Sequence, residues 1–373
     1  MPGWTNSYQF YSGGVEQTIL TLIRGLDKNK YEHKIICTWY GGPLADALSG
    51  LGVELIAIGP SRHPFHFSKH KIVFSIIKTF KPHIVHGAVF EGMGFAAISG
   101  SLARVPVIIL EETSDPQNRS RKANLLIKGF VMLSDKIMSI SPSVTNYLIN
   151  ETYIPSNKIT TINNGIDMPK YPSEVQVEAL RNELNIFKDQ FVIGFVGRLY
   201  NDHKRITDLL EAVAKLPNKV WLLLIVGDGK DKPIIKAKIK ELGIDANVRL
   251  VGYQSNTSLY YSVMDIFCVP SAREGFGLVA AEAMLHKLPV LATRVGGLAD
   301  VVLDKETGFL VPPFSPESLA QKIQELIQNP NLAKQMGEIG YQRAMDNFTA
   351  SRYCQEIDDL YTSLLTKKGI LPL

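Results

Sequence analysis

A chain of 373 residues is too long for one ordinary hydrophobic core, since domains usually hold about 100–200 residues, so we expect two domains. Its content of 45% hydrophobic and 20% charged residues is that of a globular protein. No apolar run approaches the roughly 18 residues that span a bilayer, the polar start is unlike a signal peptide, and a net charge of +4 does not indicate a nucleic-acid partner. We therefore predict a cytoplasmic protein.

The positive charge is concentrated in the first half of the chain. Residues 1–170 hold 17 Lys and Arg against 12 Asp and Glu, and six of the eight histidines. In segments 62–81 and 119–128, basic residues alternate with Phe, Ile or Leu. Such segments are typical of a face that contacts an anionic membrane surface or an acidic ligand. An ordinary solvated helix with one buried side explains the same pattern.

Short apolar runs alternate with amphipathic ones along the first half. Strands are predicted at 34–39, 54–58, 84–86, 107–111 and 137–140, and helices at 15–28, 43–51, 69–80, 92–103, 120–134 and 142–150. This βαβ rhythm predicts a parallel, doubly wound α/β sheet.

A glycine loop at 11–14 leads into the first predicted helix, yet no apolar strand-like run precedes it. A loop of this kind normally follows a buried strand. Either the start codon lies upstream of Met1, or the first domain lacks its central strand. In both cases we expect a lower melting temperature than for an upstream-extended chain.

A second alternation follows a stretch of turn chemistry at 160–190, where we place the interdomain linker. Strands are predicted at 191–196, 220–226, 248–251, 266–269 and 290–292, and helices at 204–215, 231–242, 256–263, 278–287, 296–303, 316–328, 331–345 and 351–366. The predicted domains are 1–170, 171–350 and a C-terminal helix in 351–373 that packs back on the first domain.

Two basic or glycine-rich turns follow strands of the second half. Gly197 and Arg198 end one strand and Lys204 opens the next helix, so a guanidinium fork and an ammonium could bind a diphosphate together. Gly227-Asp228-Gly229 makes a tight turn after the apolar run WLLLIV. Each signal alone is weak. Surface Arg and Lys are common, and glycines in a turn more often allow the chain to turn than contact a ligand.

Two carboxylates, Glu274 and Glu282, flank a glycine turn that opens a helix after the strand 266–269. A helix N-terminus at the carboxyl end of a parallel strand binds anions, because its free N–H groups and dipole point into the crevice. The pair suggests the nucleophile and acid of a double displacement. Glu274 is otherwise a favourable partner of the helix dipole, and Glu282 an exposed helix residue.

These clusters together resemble the family-4 retaining glycosyltransferases of GT-B fold. The resemblance rests on Arg198 with Lys204, on Gly227-Asp228-Gly229 and on the E-x7-E pattern EGFGLVAAE at 274–282. Supporting motifs are GGVEQ at 13–17, NNGID at 163–167, PSAREGFG at 270–277 and PVLATRVGGLADVV at 289–302. The resemblance covers nearly the whole chain and implies two Rossmann-like domains that face each other across a cleft.

The resemblance also implies a UDP- or GDP-sugar as donor and no further cofactor. Arg198 and Lys204 would bind the diphosphate, and Glu282 the ribose hydroxyls. Glu274 would contact the donor sugar. The other implied donor-binding residues are Gly13 and Gly14, which would approach the phosphates closely, and Gly197, Asp228, Gly229, Gly275, Phe276, Gly277 and Leu278.

If Glu282 is committed to the ribose, it lies too far from the anomeric carbon to act there. The resemblance implies a same-face transfer, in which the departing phosphate helps to deprotonate the acceptor hydroxyl. Arg198 and Lys204 then stabilise the leaving group. The chain has no D-x-D motif, so no metal is expected. Glu282→Ala should then chiefly weaken donor affinity, and Glu274→Ala should chiefly slow transfer.

The chain departs from the family after the strand 107–111, where many members carry a histidine that faces the donor sugar. Glu112 takes that position, and we expect it to assist catalysis, so that Glu112→Ala lowers turnover more than donor binding. The alternative is an ion pair with Arg119 or Arg121. His86, which ends another strand, is either an acceptor-side residue or a structural one.

The leading interpretation is a glycosyltransferase of glycan, polysaccharide or glycolipid biosynthesis whose first domain binds the acceptor. The basic segment 62–81 suits a lipid-linked or anionic glycan, with the protein peripheral on the inner face of a membrane. One alternative is a nucleotide-sugar 2-epimerase of the same fold, which uses no acceptor. Another is a non-catalytic sugar-binding protein, which releases no nucleoside diphosphate.

Overall fold

The chain divides into two compact units in the computed structural model, which describes residues 13–61, 63–114, 119–217 and 220–370. Unit 1 comprises the described residues up to Asp167 together with those from Thr349 onward, and unit 2 comprises Met168–Phe348. Both units are mixed α/β structures with parallel sheets, which confirms the predicted fold class. The chain leaves unit 1 within the segment predicted as a linker and returns to it for its last helix.

Unit 1 holds two parallel sheets among its described residues. The strands are β1 (Lys34–Cys37), β2 (Glu54–Ala57), β3 (Ile84–Ala88), β4 (Val107–Glu112), β5 (Lys136–Ser139) and β6 (Ile159–Thr161). The helices are α1 (Gly14–Gly25), α2 (Pro43–Gly50), α3 (Phe67–Phe80), α4 (Val89–Ala103), α5 (Arg121–Met132) and α6 (Pro142–Asn150). β1 pairs with β2, and the second sheet has the order β3-β4-β5-β6. The strand expected to be missing concerns residues 1–12, which lie outside the described residues.

β4 lies inside the four-stranded sheet, between β3 and β5, with Val107 opposite Ile84. All six residues of its sequence VIILEE are buried. Val, Ile and Leu fill both faces of the strand, as in parallel sheets that helices cover. The two glutamates that end the strand, Glu111 and Glu112, are therefore buried as well.

Unit 2 is built on one six-stranded sheet. The strands are β7 (Phe191–Val196), β8 (Trp221–Val226), β9 (Val248–Gly252), β10 (Ile266–Val269), β11 (Val290–Thr293) and β12 (Gly308–Val311). The helices are α7 (Glu174–Glu183), α8 (Asn201–Lys204), α9 (Ile206–Ala214), α10 (Lys232–Glu241), α11 (Ser258–Tyr261), α12 (Leu278–Leu285), α13 (Leu298–Val301), α14 (Pro316–Gln328) and α15 (Pro330–Asn347).

The strand order β12-β11-β10-β7-β8-β9 is that of a doubly wound sheet, and every neighbouring pair is parallel. The chain builds outward from β7 to β9, returns to place β10 beside β7, and builds outward again to β12. The order therefore switches direction between β7 and β10. Ligands of open α/β sheets bind outside the carboxyl ends of the strands at this switch point, so the turns after β7 and β10 mark the expected site.

α16 (Ala350–Lys367) follows unit 2 in the chain but packs against α1 in unit 1. Gly25, in the last turn of α1, makes room for it, because a Cβ at Gly25 would lie 2.3 Å from the Cys354 sulfur. At the edge of this contact, Lys30 Nζ lies 2.7 Å from the Asp358 carboxylate. The buried residues of α16 are Tyr353, Cys354, Ile357, Tyr361, Leu364 and Leu365.

The sequence does not predict β6, α7 or β12. β6 and β12 have only three and four residues, ITT and GFLV, which is too short for a periodic pattern. α7 buries only Leu180 and therefore has no apolar stripe, and its recognisable signal is the capping box of Ser173 and Gln176. Such a box marks the start of a helix whatever its faces contact.

Candidate functional site

Turns after β7, β8 and β10 meet at the carboxyl edge of the unit 2 sheet, where the sequence predicts the donor-binding residues. The structure brings two of these residues into contact, since Lys204 Nζ lies 2.5 Å from Glu274 Oε2. Ser271 Oγ lies 3.5 Å from the same oxygen. The Lys204 and Glu274 side chains are only 18% and 19% exposed. The pair is therefore screened less by water than a surface ion pair.

The turns after β7 and β8 are packed backbone against backbone. Gly227 has a φ of +142°, and a Cβ on it would lie 1.9 Å from the Gly197 carbonyl oxygen. A Cβ on Gly229 would lie 2.5 Å from the Leu199 carbonyl oxygen, and the Leu199 N–H donates to the Asp228 carbonyl at 2.9 Å. Glycine is required at both positions, so this turn sets the spacing of the two loops.

The Asp228 carboxylate is exposed and bonded within its own turn. It accepts hydrogen bonds from Lys232 Nζ at 2.6 Å and from the Gly229 N–H at 2.8 Å. These bonds hold the pKa of Asp228 below its usual value. The contacts give Asp228 a role in shaping the turn, and its contact with a donor stays a prediction.

α12 begins after a left-handed glycine, Gly277, with a φ of +105° and no side-chain cap. The loop after β11 packs on this turn, since a Cβ on Gly297 would lie 2.3 Å from the Gly275 carbonyl oxygen. The Gly297 N–H also donates to the Glu274 carbonyl at 2.9 Å. The Leu278 N–H has no protein acceptor within the described part of the chain, as is usual in the first turn of a helix.

Three of the predicted donor-binding residues can offer a ligand only backbone groups: Phe276, Gly13 and Gly14. The Phe276 side chain is buried against Phe348, with ring centroids 5.4 Å apart. Gly13 precedes α1 in unit 1, where a Cβ would lie 1.9 Å from a Glu16 carboxylate oxygen. Their roles toward a donor stay predictions.

Basic side chains cluster around the turn after β7. Arg273 Nη2 donates to His203 Nε2 at 2.9 Å. Burial, Arg273, Lys204 and Arg198 together hold the pKa of His203 below its usual value, so the neutral imidazole accepts this bond. Arg198 is exposed, and its side chain makes no hydrogen bond or ion pair with any described residue. An uncommitted guanidinium beside a partly buried lysine is suited to an anionic ligand.

Sequence reasoning misses Arg273 and His203 as site residues. Both flank predicted residues, because Arg273 directly precedes Glu274 and His203 directly precedes Lys204. Their adjacency was the available signal. What the sequence does not show is that their side chains meet across 70 residues of chain.

Glu282 lies on α12 and has different partners from Glu274. The Tyr261 hydroxyl donates to Glu282 Oε2 at 2.9 Å. Burial raises the pKa of Glu282 to about 7, and the bond from Tyr261 opposes that rise. One glutamate is thus paired with Lys204 and the other is bonded to Tyr261, so the two carboxylates have separate partners, unlike the facing carboxyl pair of a double displacement.

Glu112 ends β4 in unit 1 and is fully buried. Arg119 donates to both of its carboxylate oxygens, and Ser114 Oγ donates to Oε1 at 2.7 Å. Arg119 is therefore the arginine that pairs with Glu112, and Arg121 is exposed. These contacts are those of the structural alternative, and a catalytic role for Glu112 stays a prediction.

His86 is the third residue of β3 in unit 1, because the strand runs two residues beyond the predicted end, and it contacts two other elements. Its Nδ1 lies 2.7 Å from the Tyr361 hydroxyl on α16, and its Nε2 lies 3.4 Å from Glu111 Oε2 on β4. His86 thus joins β3, β4 and α16. An acceptor-side role stays a prediction.

The described ranges show neither a cluster of metal ligands nor a membrane-spanning helix. They contain no group of three or more His, Cys, Asp or Glu side chains placed to hold a metal ion. Within the same ranges, every helix is too short or too polar to cross a membrane.

Two family models match consecutive parts of the chain. Residues 12–169 match the model described as Glycosyltransferase Family 4, and residues 176–343 match the model described as Glycosyl transferases group 1. An uncharacterized glycosyltransferase of Methanocaldococcus jannaschii is 30% identical over 280 residues, 73% of each chain.

Two further relatives carry assigned names. The capsular polysaccharide biosynthesis glycosyltransferase CapM of Staphylococcus aureus is 30% identical over 249 residues, 65% of each chain. The N-acetyl-alpha-D-glucosaminyl L-malate synthase of Bacillus anthracis is 29% identical over 246 residues, 65% of this chain and 63% of that one. The matched part of the chain spans a little under two thirds of the length of these two relatives.

Solved structures show the fold to which the two units belong. Anabaena HepE in complex with UDP and glucose has a TM-score of 0.84 at 20% identity, covering 95% of this chain and 98% of HepE. WaaG, a glycosyltransferase involved in lipopolysaccharide biosynthesis, has a TM-score of 0.75 at 18% identity, with the same coverage. These likenesses establish the predicted GT-B fold.

Glu112→Ala should destabilise unit 1 by about 3 kcal/mol, because it leaves a buried charge without its partner. Arg119, at 14% exposed, would lose its counter-ion. Urea unfolding measures the loss, and turnover of the folded variant separately tests the catalytic prediction. The double variant Glu112→Ala/Arg119→Ala should recover part of the loss. Wild-type stability in the single variant would contradict the ion-pair assignment.

Glu282→Gln should stabilise the protein at about pH 8 but not at about pH 5, by linkage. The folded-state pKa of about 7 lies above the ordinary value of 4.5, so ionisation of Glu282 costs stability as pH rises between these values. The free energy of unfolding should change by at most about 3 kcal/mol. Thermal unfolding at the two pH values measures it, with the exposed Glu338→Gln as control. An equal effect of Glu282→Gln at both pH values would argue against the raised pKa.

Proposed function

Because the chain belongs to the family-4 glycosyltransferases of group 1, with the GT-B fold, we propose that it transfers a sugar from a nucleoside diphosphate sugar to a hydroxyl acceptor. The observation that carries the proposal is the contact of Lys204 with Glu274. The contact supports a site in which Lys204 binds the diphosphate and Glu274 binds hydroxyl groups of the sugar. The names of CapM and WaaG support polysaccharide or glycoconjugate biosynthesis as the setting.

The donor diphosphate is proposed to lie against Arg198, Lys204 and Arg273. Arg198 is exposed and uncommitted within the described structure, and Arg273 is bonded only to a neutral histidine, so both retain charge for phosphate oxygens. The ribose is proposed to bind Glu282. The UDP bound by HepE supports a uridine nucleotide, with a guanosine nucleotide as the alternative.

The proposed reaction retains the configuration of the sugar and uses one face of the ring. The leaving diphosphate gains negative charge as the glycosidic bond breaks, and fixed cations nearby stabilise that charge. Arg198 and Lys204 fill this role without a metal, which the absence of a D-x-D motif supports. The departing phosphate oxygen takes the proton of the acceptor hydroxyl. Glu274, bonded to Lys204, orients the cation and the sugar.

The acceptor is proposed to be a glycan or lipid-linked sugar at an anionic membrane surface, bound through unit 1. No acidic residue occurs between Glu54 and Glu91. α4 packs against both α3 and α5, and these two helices also lack acidic residues. Exposed apolar side chains, Phe67 at 83%, Leu125 at 70% and Met132 at 78%, lie on α3 and α5.

Basic side chains accompany these apolar ones. Lys71 on α3 and the α5 residues Arg121, Lys122 and Lys128 are exposed, and none has an ion pair or side-chain hydrogen bond within the described structure. Exposed apolar and basic groups on the same helices are typical of peripheral membrane binding, in which each Lys or Arg adds about 1 kcal/mol. These groups support our proposal that the protein is peripheral to a membrane, on its cytoplasmic face.

Glu282→Ala and Glu274→Ala should have different effects on a donor identified by thermal shift with UDP-, GDP- and ADP-sugars. Loss of Glu282 should weaken donor binding about tenfold or more, since hydrogen bonds to a carboxylate are lost. Loss of Glu274 should slow nucleoside diphosphate release about tenfold or more at saturating donor. Glu338→Ala is the control. Equal effects of both variants would indicate that Glu274 and Glu282 act together in one step. If the wild-type protein binds the donor but releases no nucleoside diphosphate, it is a non-catalytic sugar-binding protein.

The double variant Lys122→Glu/Lys128→Glu should reduce flotation with phosphatidylglycerol vesicles, by about fivefold or more per lysine. Lys240→Glu/Lys334→Glu, at exposed positions of unit 2, is the matched control and should float like the wild type. Binding to phosphatidylcholine vesicles should be weak for all three proteins. Equal binding of the wild type to both vesicle types would remove the case for an anionic surface.

A further inference from the structure

Tyr261, the last residue of α11, lies beneath Glu282 and is 1% exposed. Its hydroxyl is 2.9 Å from Glu282 Oε2 and 3.4 Å from the Val279 carbonyl oxygen. A phenol has one proton to donate, and a carboxylate is the stronger acceptor. The proton therefore goes to Glu282.

His286 holds the Tyr261 ring in place. The two rings stack with centroids 4.8 Å apart and an interplanar angle of 26°. His286 Nδ1 lies 2.8 Å from the Glu282 carbonyl oxygen, which can only accept, so Nδ1 carries the proton. Nε2 then accepts from Ser258 Oγ at 2.8 Å. Since Ser258 opens α11, His286 ties α11 to α12 on one side of the ring.

The Glu282 carboxylate has one hydrogen-bond donor in the described structure, the Tyr261 hydroxyl. A carboxylate offers about four acceptor sites, so Oε1 and part of Oε2 remain for a ligand. A ribose presents two neighbouring hydroxyl groups. The open acceptor sites match that pair of donors in number.

We propose that Tyr261 is a positioning residue that holds the Glu282 carboxylate for the ribose hydroxyls of the donor. The proposal rests on the proposed function, in which Glu282 binds the ribose. Burial disfavours the charged carboxylate. Protonation of Glu282 would remove one acceptor site and the negative charge, and so would weaken the bonds that two ribose hydroxyls donate to it. The hydrogen bond from Tyr261 favours the charged form and fixes which oxygen faces the ligand.

Glu282 is the group near this pocket that changes charge around neutral pH. Burial raises the pKa of Tyr261 well above 10 and lowers that of His286, so both are neutral above pH 7. Burial also raises the pKa of the Cys268 thiol on β10. Charged groups on the helices beside α12 include Asp300 on α13, Arg343 on α15, which donates to the Asp300 carbonyl oxygen at 2.7 Å, and the ion pair of Lys287 with Glu338 on α15.

Tyr261→Phe removes the hydroxyl and keeps the ring. We expect its affinity for UDP, or for GDP if that binds more tightly, to be about fivefold weaker than wild type near pH 7 and nearly equal near pH 8.5. These values follow from a rise of about one unit in the pKa of Glu282 when its hydrogen bond is lost. Calorimetry across this range measures the shift.

Two further variants complete the experiment. Tyr260→Phe is the matched control, because Tyr260 is also buried but has no side-chain hydrogen bond in the described structure, and its profile should follow the wild type. Glu282→Gln has no carboxylate to titrate at this position. Its profile therefore gives the pH dependence that comes from the nucleotide itself, whose terminal phosphate titrates at about pH 6. Ser258→Ala, which loosens His286, should shift the profile in the same direction as Tyr261→Phe and replaces it if that variant does not fold.

The outcomes separate this inference from the function it rests on. A Tyr261→Phe profile that overlays the wild type, or a loss of affinity that is equal near pH 7 and pH 8.5, overturns the role of Tyr261. Glu282→Gln binding as tightly as wild type near pH 8.5 instead removes Glu282 from the ribose site, and the proposed donor site fails. A profile shift in Tyr261→Phe with intact folding supports the positioning role.

Discussion

The site in unit 2 depends on the close approach of two backbone turns at the carboxyl edge of its sheet. Gly227 sits on the Gly197 carbonyl and Gly229 on the Leu199 carbonyl, at distances that leave no space for a Cβ. This packing fixes the path of the chain after β7, and that path carries Arg198 and leads to Lys204. Backbone contacts are less adaptable than side-chain contacts, because no rotamer change can relieve a clash. The close packing at Gly227 and Gly229 therefore determines where the backbone of Arg198 and Lys204 lies.

The charged side chains at this edge are held in place by other residues of the chain. Lys204 is paired with Glu274 while largely shielded from water, and Arg273 is held by a histidine that remains neutral among cations. Groups held in place in this way need little reorganisation when a charged ligand or transition state forms, which is the main source of electrostatic catalysis. Lys204 and Glu274 also neutralise each other, so neither is an isolated charge shielded from water.

The sequence predicts those parts of the molecule that local patterns specify. β7 and β8 are apolar runs that are followed by glycine, so both strands can be predicted from the sequence. The E-x7-E pattern lies within one turn and one helix, so its two glutamates can be predicted as well. Contacts between distant segments are not readable in this way. Tyr261 meets Glu282 because α11 and α12 pack together, and nothing in SLYY marks one tyrosine rather than the other. Glu112 shows a similar limit, since Arg119 and Arg121 are both within reach along the chain and only the backbone path selects Arg119.

The return of α16 to unit 1 has a consequence for synthesis on the ribosome. Unit 2 is a continuous insertion into unit 1. The unit 1 residues that flank it are joined, since Ile166 and Thr349 form a parallel bridge and the Ala350 N–H donates to the Ile166 carbonyl at 2.9 Å. Unit 2 can fold as soon as its own residues emerge, because one continuous segment, Met168–Phe348, forms it. Unit 1 has to wait for α16, although its strands are made first. During translation the second unit is therefore complete before the first, and the apolar face of α1 that receives α16 is exposed until the end.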